Sequence, residues 1–426
     1  MKRLALVVAL GGCSYLTDSF DVNEFSGDPF PTTVDTSSGA IVIGMGVPDE
    51  PIHTAVLDIL SPFTVIDDGP TAAPRITTPQ LVLDGERAAA GAFDLARAEI
   101  DEPDVLTIHP CISADCSVGT SFMPRAFDAI VGMNALSGDA LRLHLANDPA
   151  TQPDLVYLLP DVAGNEPSRT YTCDAVFPSP YRGGGTAIVG GTELKFPNTR
   201  VTIDACLAFD PDVTLVQSQR GVDALFVAST AIGISLLDRS AYERYRLLVT
   251  TAPPYEALVA DSVLLPSGPI TGHRTNLERI AFAGKSTSNP RAPCRQVYAS
   301  RVMAVHDCVP GDDCPCTKDD PRNGTYCGVP AIVELASPAG FDVLIVDDNE
   351  PTLQALRTEL RPDQPEVDGI LGTTALRMLE IDLDQPNGRL LARCTDPDPT
   401  HCAVRPEIFN DDSTDNRVQV NGCTAR

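Results

Sequence analysis

The stretch Ala55-Val56-Leu57-Asp58-Ile59-Leu60-Ser61-Pro62-Phe63-Thr64-Val65-Ile66 decides how the rest of the chain is read. An apolar run meets a lone Asp58, turns through Leu60, Ser61 and Pro62, and leaves through the β-branched residues Thr64, Val65 and Ile66. β-Branched and aromatic residues bounded by turn formers read as strands. The stretch therefore predicts strand–turn–strand with one carboxylate at the turn. A similar stretch recurs from Asp223 to Leu237 (DALFVASTAIGISLL), with Ser229 at the place of Asp58. Each copy is followed by two hydrophobic residues and a glycine: Gly132 in FDAIVGMNAL and Gly372 in VDGILGTTAL. A glycine inside a strand lets another backbone approach closely. Asp58 precedes Gly132 by 74 residues and Ser229 precedes Gly372 by 143, so the second copy is about 69 residues longer.

Outward from these repeats, the chain reads as mostly strands. Gly39–Val47, His53–Asp58, Phe63–Ile66, Leu81–Leu83, Val105–Ile108 and Leu141–Leu145 supply short strands in the first half. Thr186–Phe196 and Arg200–Phe209 return to strands, and Asp238–Tyr245 reads as one short helix. Pro386-Asn387-Gly388 lies between alternating runs, a strong hairpin signal. With 426 residues the chain has room for two or three domains, and 37 Pro with 31 Gly suit a turn-rich, all-β-dominated fold. The formal charge of −27 repels phosphate backbones and excludes nucleic acid as a partner. The absence of Trp argues against a lectin-like or aromatic-caged surface.

The start of the chain carries a compartment signal. Lys2-Arg3 precedes the apolar run Leu4–Leu10, which is too short to span a bilayer. Leu10-Gly11-Gly12-Cys13 then resembles a bacterial lipobox. That resemblance implies a signal peptide over residues 1–12, lipidation of Cys13, and a membrane-anchored lipoprotein of the bacterial cell envelope. Ser14 is compatible with the outer membrane, facing periplasm or surface. Residues 13–36 read as a tether. The remaining cysteines are Cys111, Cys116, Cys173, Cys206, Cys294, Cys308, Cys314, Cys316, Cys327, Cys394, Cys402 and Cys423, an even set that in an exported protein reads as disulfides of open connectivity.

The two copies together resemble the bilobal, pepsin-like aspartic peptidases. Residues 58–66, DILSPFTVI, look like that family's D-T-G-S-x-x-T-V-I segment, with Ser61 and Thr64 at matching places. Residues 229–237, STAIGISLL, look like the second D-T-G-x-S-x-x-x-L site, and VDGILGTTALRMLEIDLD resembles the late G-I-L-G segment. The resemblance implies two pseudo-symmetric β lobes with a cleft between them, expected at residues 37–190 and 191–394. A Cys-rich insertion is expected at about residues 286–328 of the second lobe, and an acidic, Cys-containing tail over residues 395–426.

The departures from the family bear on function. Its mechanism needs two carboxylates sharing one proton and activating a water. Asp58 fits the first position, but Ser229 stands at the second, and a neutral hydroxyl is no base near neutral pH. The Thr that follows each catalytic Asp survives as Thr230 but is Ile59 in the first copy. The next glycine is replaced by Leu60 and Ala231, and no Tyr lies between Asp58 and Gly132, where the family has a flap tyrosine. These losses predict a degenerate, non-catalytic member that binds a peptide or protein between its lobes, as a monomer and without cofactor. The alternative is an active aspartic endopeptidase pairing Asp58 with an unrecognised carboxylate, the nearest in sequence being Asp67, Asp68, Asp223 and Asp238.

Other chemistries find less support. No Gly-x-Ser-x-Gly nucleophile turn is present. The histidines His53, His109, His144, His273, His306 and His401 are scattered. The run His306-Asp307-Cys308…Cys314-Pro315-Cys316…Cys327 lacks the paired CxxC spacing of a zinc site, and Asp312-Asp313 and Asp319-Asp320 do not match a calcium loop, so no metal is expected.

Overall fold

The computed structural model describes residues 29–35, 38–46, 53–67, 75–77, 81–84, 97–100, 105–108, 129–136, 140–146, 154–159, 175–178, 180–189, 192–196, 198–208, 221–265, 268–284, 292–297, 331–360, 366–396, 398 and 400–405. Cys13 and eight further cysteines (Cys111, Cys116, Cys173, Cys308, Cys314, Cys316, Cys327, Cys423) lie outside the described residues, as do the signal peptide and the end of the tail.

The elements follow one another as β1 (Pro29–Val34), β2 (Ile41–Gly46), β3 (His53–Asp58), β4 (Thr64–Asp67), β5 (Arg75–Thr77), β6 (Leu81–Asp84), β7 (Arg97–Ile100), β8 (Val105–Ile108), β9 (Ala129–Gly132), helix α1 (Met133–Leu136), β10 (Ala140–His144), β11 (Asp154–Leu159) and β12 (Ala175–Pro178). Next come β13 (Tyr181–Arg182), β14 (Gly185–Val189), β15 (Thr192–Phe196), β16 (Arg200–Leu207), β17 (Val222–Ala228), β18 (Ser235–Asp238), α2 (Arg239–Leu248), β19 (Val259–Leu265) and β20 (Gly268–Ala283). The chain closes with β21 (Ile332–Val346), α3 (Pro351–Leu360), β22 (Gly369–Leu371), α4 (Thr373–Leu376), β23 (Leu379–Asp384), β24 (Arg389–Cys394) and β25 (Cys402–Arg405).

These strands form two large curled sheets, as the all-β, bilobal expectation required. The first runs β12-β24-β23-β10-β11-β1-β2-β3-β9-β4-β8-β5, with β6 and β7 joined through β2. The second runs β13-β16-β17-β22-β18-β21-β20-β19, with β25 on β21 and β16 also bonded to β20. Strands β14 and β15 make a separate hairpin. The chain crosses between the large sheets after β12 and returns with β23–β24, so the last hairpin of the second half pairs with β10 of the first. Pro29–Val34, inside the expected tether, is a strand between β11 and β2. Its Pro29 and Pro31 lack N–H groups and hide the strand from a pattern reading.

The internal repeat is exact in register. Ala55 pairs with Ala129 as Phe226 pairs with Gly369, and Val65 pairs with Ile130 as Leu236 pairs with Ile370. Every β3 or β4 residue lies 171 positions before its counterpart and every β9 residue 240 before. Thr64 opposite Val105 matches Ser235 opposite Val343, a shift of 238, so nearly all the extra length enters between β18 and β21. That segment contains α2, β19, β20 and Cys294. Cys294 is bonded to Cys206 of β16, and Cys394 of β24 to Cys402 of β25, so the start of the tail is tied to the first sheet by the disulfide and to the second by its pairing with β21.

One core runs through both lobes and includes Leu57, Ile59, Val131, Leu141, Phe226, Tyr242, Phe282 and Leu383. A second cluster under α3 gathers Leu225, Ile232, Leu236, Leu353 and Ile370. The glycine after each β9-type strand is sterically required. A Cβ on Gly132 would stand 2.2 Å from the Phe63 carbonyl oxygen, and one on Gly372 would stand 2.5 Å from that of Ile234. Gly132→Ala should therefore lower stability by about 3 kcal/mol, since backbone cannot yield as a side chain can. Gly388→Ala, at φ +65° with open space around it, should cost only about 1 kcal/mol. Urea unfolding midpoints measure both, and equal costs would refute the steric account.

Candidate functional site

Each turn is built by its own side chains. Asp58 ends β3, and its Oδ1 accepts from the Leu60 N–H at 2.9 Å, while the Ser61 N–H donates to the Asp58 carbonyl at 3.1 Å. In the second lobe Ser229 Oγ accepts from the Ala231 N–H at 3.1 Å, so a hydroxyl closes the turn that a carboxylate closes in the first. The supports repeat too. The Gly132 N–H donates to Thr64 Oγ1 at 3.1 Å and the Gly372 N–H to Ser235 Oγ at 3.0 Å. The Met133 N–H donates to the Ser61 carbonyl at 2.9 Å as the Thr373 N–H donates to that of Ile232 at 2.8 Å. Thr64 Oγ1 in turn donates to Asn134 Oδ1 at 3.0 Å.

The two turns face each other. Ser229 Oγ donates to Asp58 Oδ1 at 3.0 Å, with Ser229 fully buried and Asp58 4% exposed. Thr230 Oγ1 donates to the Leu57 carbonyl at 2.6 Å and accepts from the Ile59 N–H at 3.2 Å. Ile59, whose side chain carries no hydrogen-bonding group, joins this contact through its backbone N–H. Leu60 reaches across the junction and packs on the second lobe's cluster, while Ala231 packs with Ala40 and Val56 of the first. Burial pushes the Asp58 carboxyl above its ordinary range, opposed by the Leu60 N–H, the Ser229 hydroxyl and the charge of Arg200.

Arg200 is a neighbour that sequence reading missed. Its guanidinium grips Glu359 of α3 through Nε and Nη2 at 2.9 and 2.7 Å, and Nη1 donates to the Leu60 carbonyl. Gly183, at φ +77°, makes room for this pair, since a Cβ there would stand 2.5 Å from Glu359 Oε1. No local signal marks Arg200: it is one polar position in an alternating strand, and its partners are far away in sequence.

The alternative carboxylates are placed elsewhere. Asp223 lies six residues before Ser229, about 20 Å along a strand, and accepts from the Cys294 N–H at 2.9 Å. Asp238 caps α2 by accepting from the Ala241 N–H at 2.6 Å and pairs with Arg357, so the expected helix begins one residue later with Asp238 as its cap. Asp67 ends β4, three residues beyond Thr64, and Asp68 lies outside the described residues. Among the described residues no group of three or more His, Cys, Asp or Glu side chains is arranged to hold a metal.

No protein-family model and no curated protein matches the chain. Solved structures similar to it include the aspartic proteinase from Irpex lacteus, with a TM-score of 0.40 and 12% identity over 86% of this chain and 96% of that one. Basic 7S globulin from soybean is another, with a TM-score of 0.41 and 11% identity over 88% of this chain and 98% of that one.

Two outcomes are expected of this region. Thr230→Val strands the buried Leu57 carbonyl and Ile59 N–H, and should cost about 2 kcal/mol in chemical denaturation, with Thr230→Ser recovering most of it. The second concerns pH. Burial raises the Asp238 carboxyl to about 6, against the helix-cap N–H and Arg357 that oppose it. The folded state thus binds the proton more tightly than the unfolded chain. The stability this confers is complete below about pH 4 and is lost as pH rises through about 6, an effect of about 3 kcal/mol. Thermal melts of wild type and Asp238→Asn across this window should differ in slope, and parallel curves would refute it.

Proposed function

We propose that this chain is a lipid-anchored envelope protein that keeps a two-lobed peptidase-like frame without the peptidase chemistry and holds an extended peptide or protein segment between its lobes. One observation carries the non-catalytic reading: the group facing the Asp58 carboxylate is the Ser229 hydroxyl at 3.0 Å, itself tied to the Ala231 N–H. Water activation by a shared-proton pair needs a second carboxylate here, and a serine hydroxyl neither carries the charge nor takes the proton. Asp223 and Asp238 are engaged in other bonds, which leaves Asp58 as an acceptor that joins two turns.

Peptide binding follows from frame rather than from an observed ligand. An extended chain held between the lobes would pair by its backbone with a strand edge there. The anchor follows from Cys13 and the apolar run before it.

Incubation of the purified chain with a peptide library between about pH 3 and 7 should give no cleavage. Acid-dependent cleavage that Asp58→Asn abolishes would overturn the non-catalytic reading. Selection from the same library should enrich extended peptides, and Cys13→Ala should move the protein from the membrane fraction to the soluble one.

A further inference from the structure

Strand β19 ends the second sheet, and among the described residues it pairs with β20 alone. Natural proteins protect such edges with Lys, Pro, bulges or very short strands. The seven residues of β19, Val-Ala-Asp-Ser-Val-Leu-Leu, contain neither Lys nor Pro, and their register with β20 is unbroken. Val259 at its start is 73% exposed.

The register shows which backbone groups face outward. Leu265 stands opposite Gly268 across a two-residue connection, and such a closing pair is hydrogen-bonded. Bonded and non-bonded pairs then alternate, so Val263, Asp261 and Val259 bond to β20, while Ala260, Ser262 and Leu264 turn their N–H and C=O groups away from it, the Ser262 N–H being covered by the Asp261 carboxylate at 2.8 Å. Pro269, which has no N–H, falls opposite Leu264 in a non-bonded pair, as this assignment requires.

The face beside this edge is hollowed. A cavity of about 520 Å³ is lined by Tyr255, Ala260, Ser262, Thr271, His273 and Asp347, and the pairs Ala260–His273 and Ser262–Thr271 set four of these on one face. Its surroundings are negative. Asp261 and Asp342 share one cation, Arg274, at 3.2 and 2.7 Å, and Asp347 has no ion pair among the described residues. The whole chain carries −27.

The geometry points to β19 as a second binding site, which takes an extended, basic polypeptide strand by adding it to the sheet. The bound strand would hydrogen-bond to Ala260 and to the Ser262 carbonyl, take the Ser262 N–H by displacing the Asp261 carboxylate, set side chains alternately on the two faces of the sheet, and gain from charge of opposite sign. A second copy of this chain is the poorer occupant, because edge-to-edge pairing would bring acidic surfaces together. The inference is independent of the inter-lobe reading, since β19 and the Asp58–Ser229 contact share no residue.

Fluorescence anisotropy with the full chain tests it, using a labelled alternating Lys–Val peptide, its Glu–Val analogue, and a Lys–Val peptide N-methylated on the amides of one edge. The Lys–Val peptide should bind, the Glu–Val peptide should not, and N-methylation should weaken binding about tenfold. Ser262→Pro, which removes an outward donor and leaves the β20 ladder whole, should do the same. Asp58→Asn should leave this affinity unchanged, which separates the site from the lobe junction. Failure of the Lys–Val peptide to bind, equal binding of the N-methylated peptide, or dimerisation of the chain that Ser262→Pro abolishes would each overturn the proposal.

Discussion

The Thr230 hydroxyl holds the two halves of this molecule in register. It gives its proton to one lobe's Leu57 carbonyl and receives the Ile59 N–H of the same turn, with no exposure to water. Buried backbone groups without partners are costly, so each lobe's turn depends on the other being in place. The Ser229–Asp58 bond, the Ile41 N–H to the Thr230 carbonyl at 2.9 Å, and the Gly233 N–H to the Ser38 carbonyl at 2.7 Å extend the same junction. Gly39, at φ +74°, and Gly233 let their backbones touch there, where a Cβ on Gly39 would stand 2.4 Å from the Gly233 Cα.

Much of this was legible in the sequence. The two strand–turn–strand units, the paired glycines, the serine at the counterpart of Asp58 and the hairpin at Asn387-Gly388 all appear where local pattern placed them. They are local features: a β-branched run, a turn residue and a close-approach glycine each declare themselves within a few residues. What stayed hidden depends on distant partners. Strand β1 is masked by two prolines, the crossing of β23–β24 into the first sheet is a matter of topology, and the Arg200–Glu359 pair spans 159 positions. The excess length of the second copy was readable as a number, and the insertion expected at about residues 286–328 falls within the interval between β18 and β21 that the register marks out.

The second lobe concentrates buried acids. Asp223, Asp238 and Asp368 are all raised by burial, and Arg244 and Arg357 partly offset this. Glu380 behaves oppositely, held below its ordinary range by His144, Arg142 and Arg393 despite its burial. Two of the three second-lobe acids are thus ion-paired, Asp238 with Arg357 and Asp368 with Arg244, and burial still outweighs the pairing, whereas at Glu380 the pairing wins.

Strand β1 has a mechanical meaning. It is the first described element of the chain and lies inside a sheet, bonded to β11 through Pro29–Thr32 and to β2 through Thr33 and Val34. A load applied ahead of Pro29 runs along the strand axis. It acts as shear on several ladder bonds at once rather than peeling them one by one. If the chain is moored at Cys13, traction from the mooring enters at the sheet that both halves share, and neither lobe is pulled from the other.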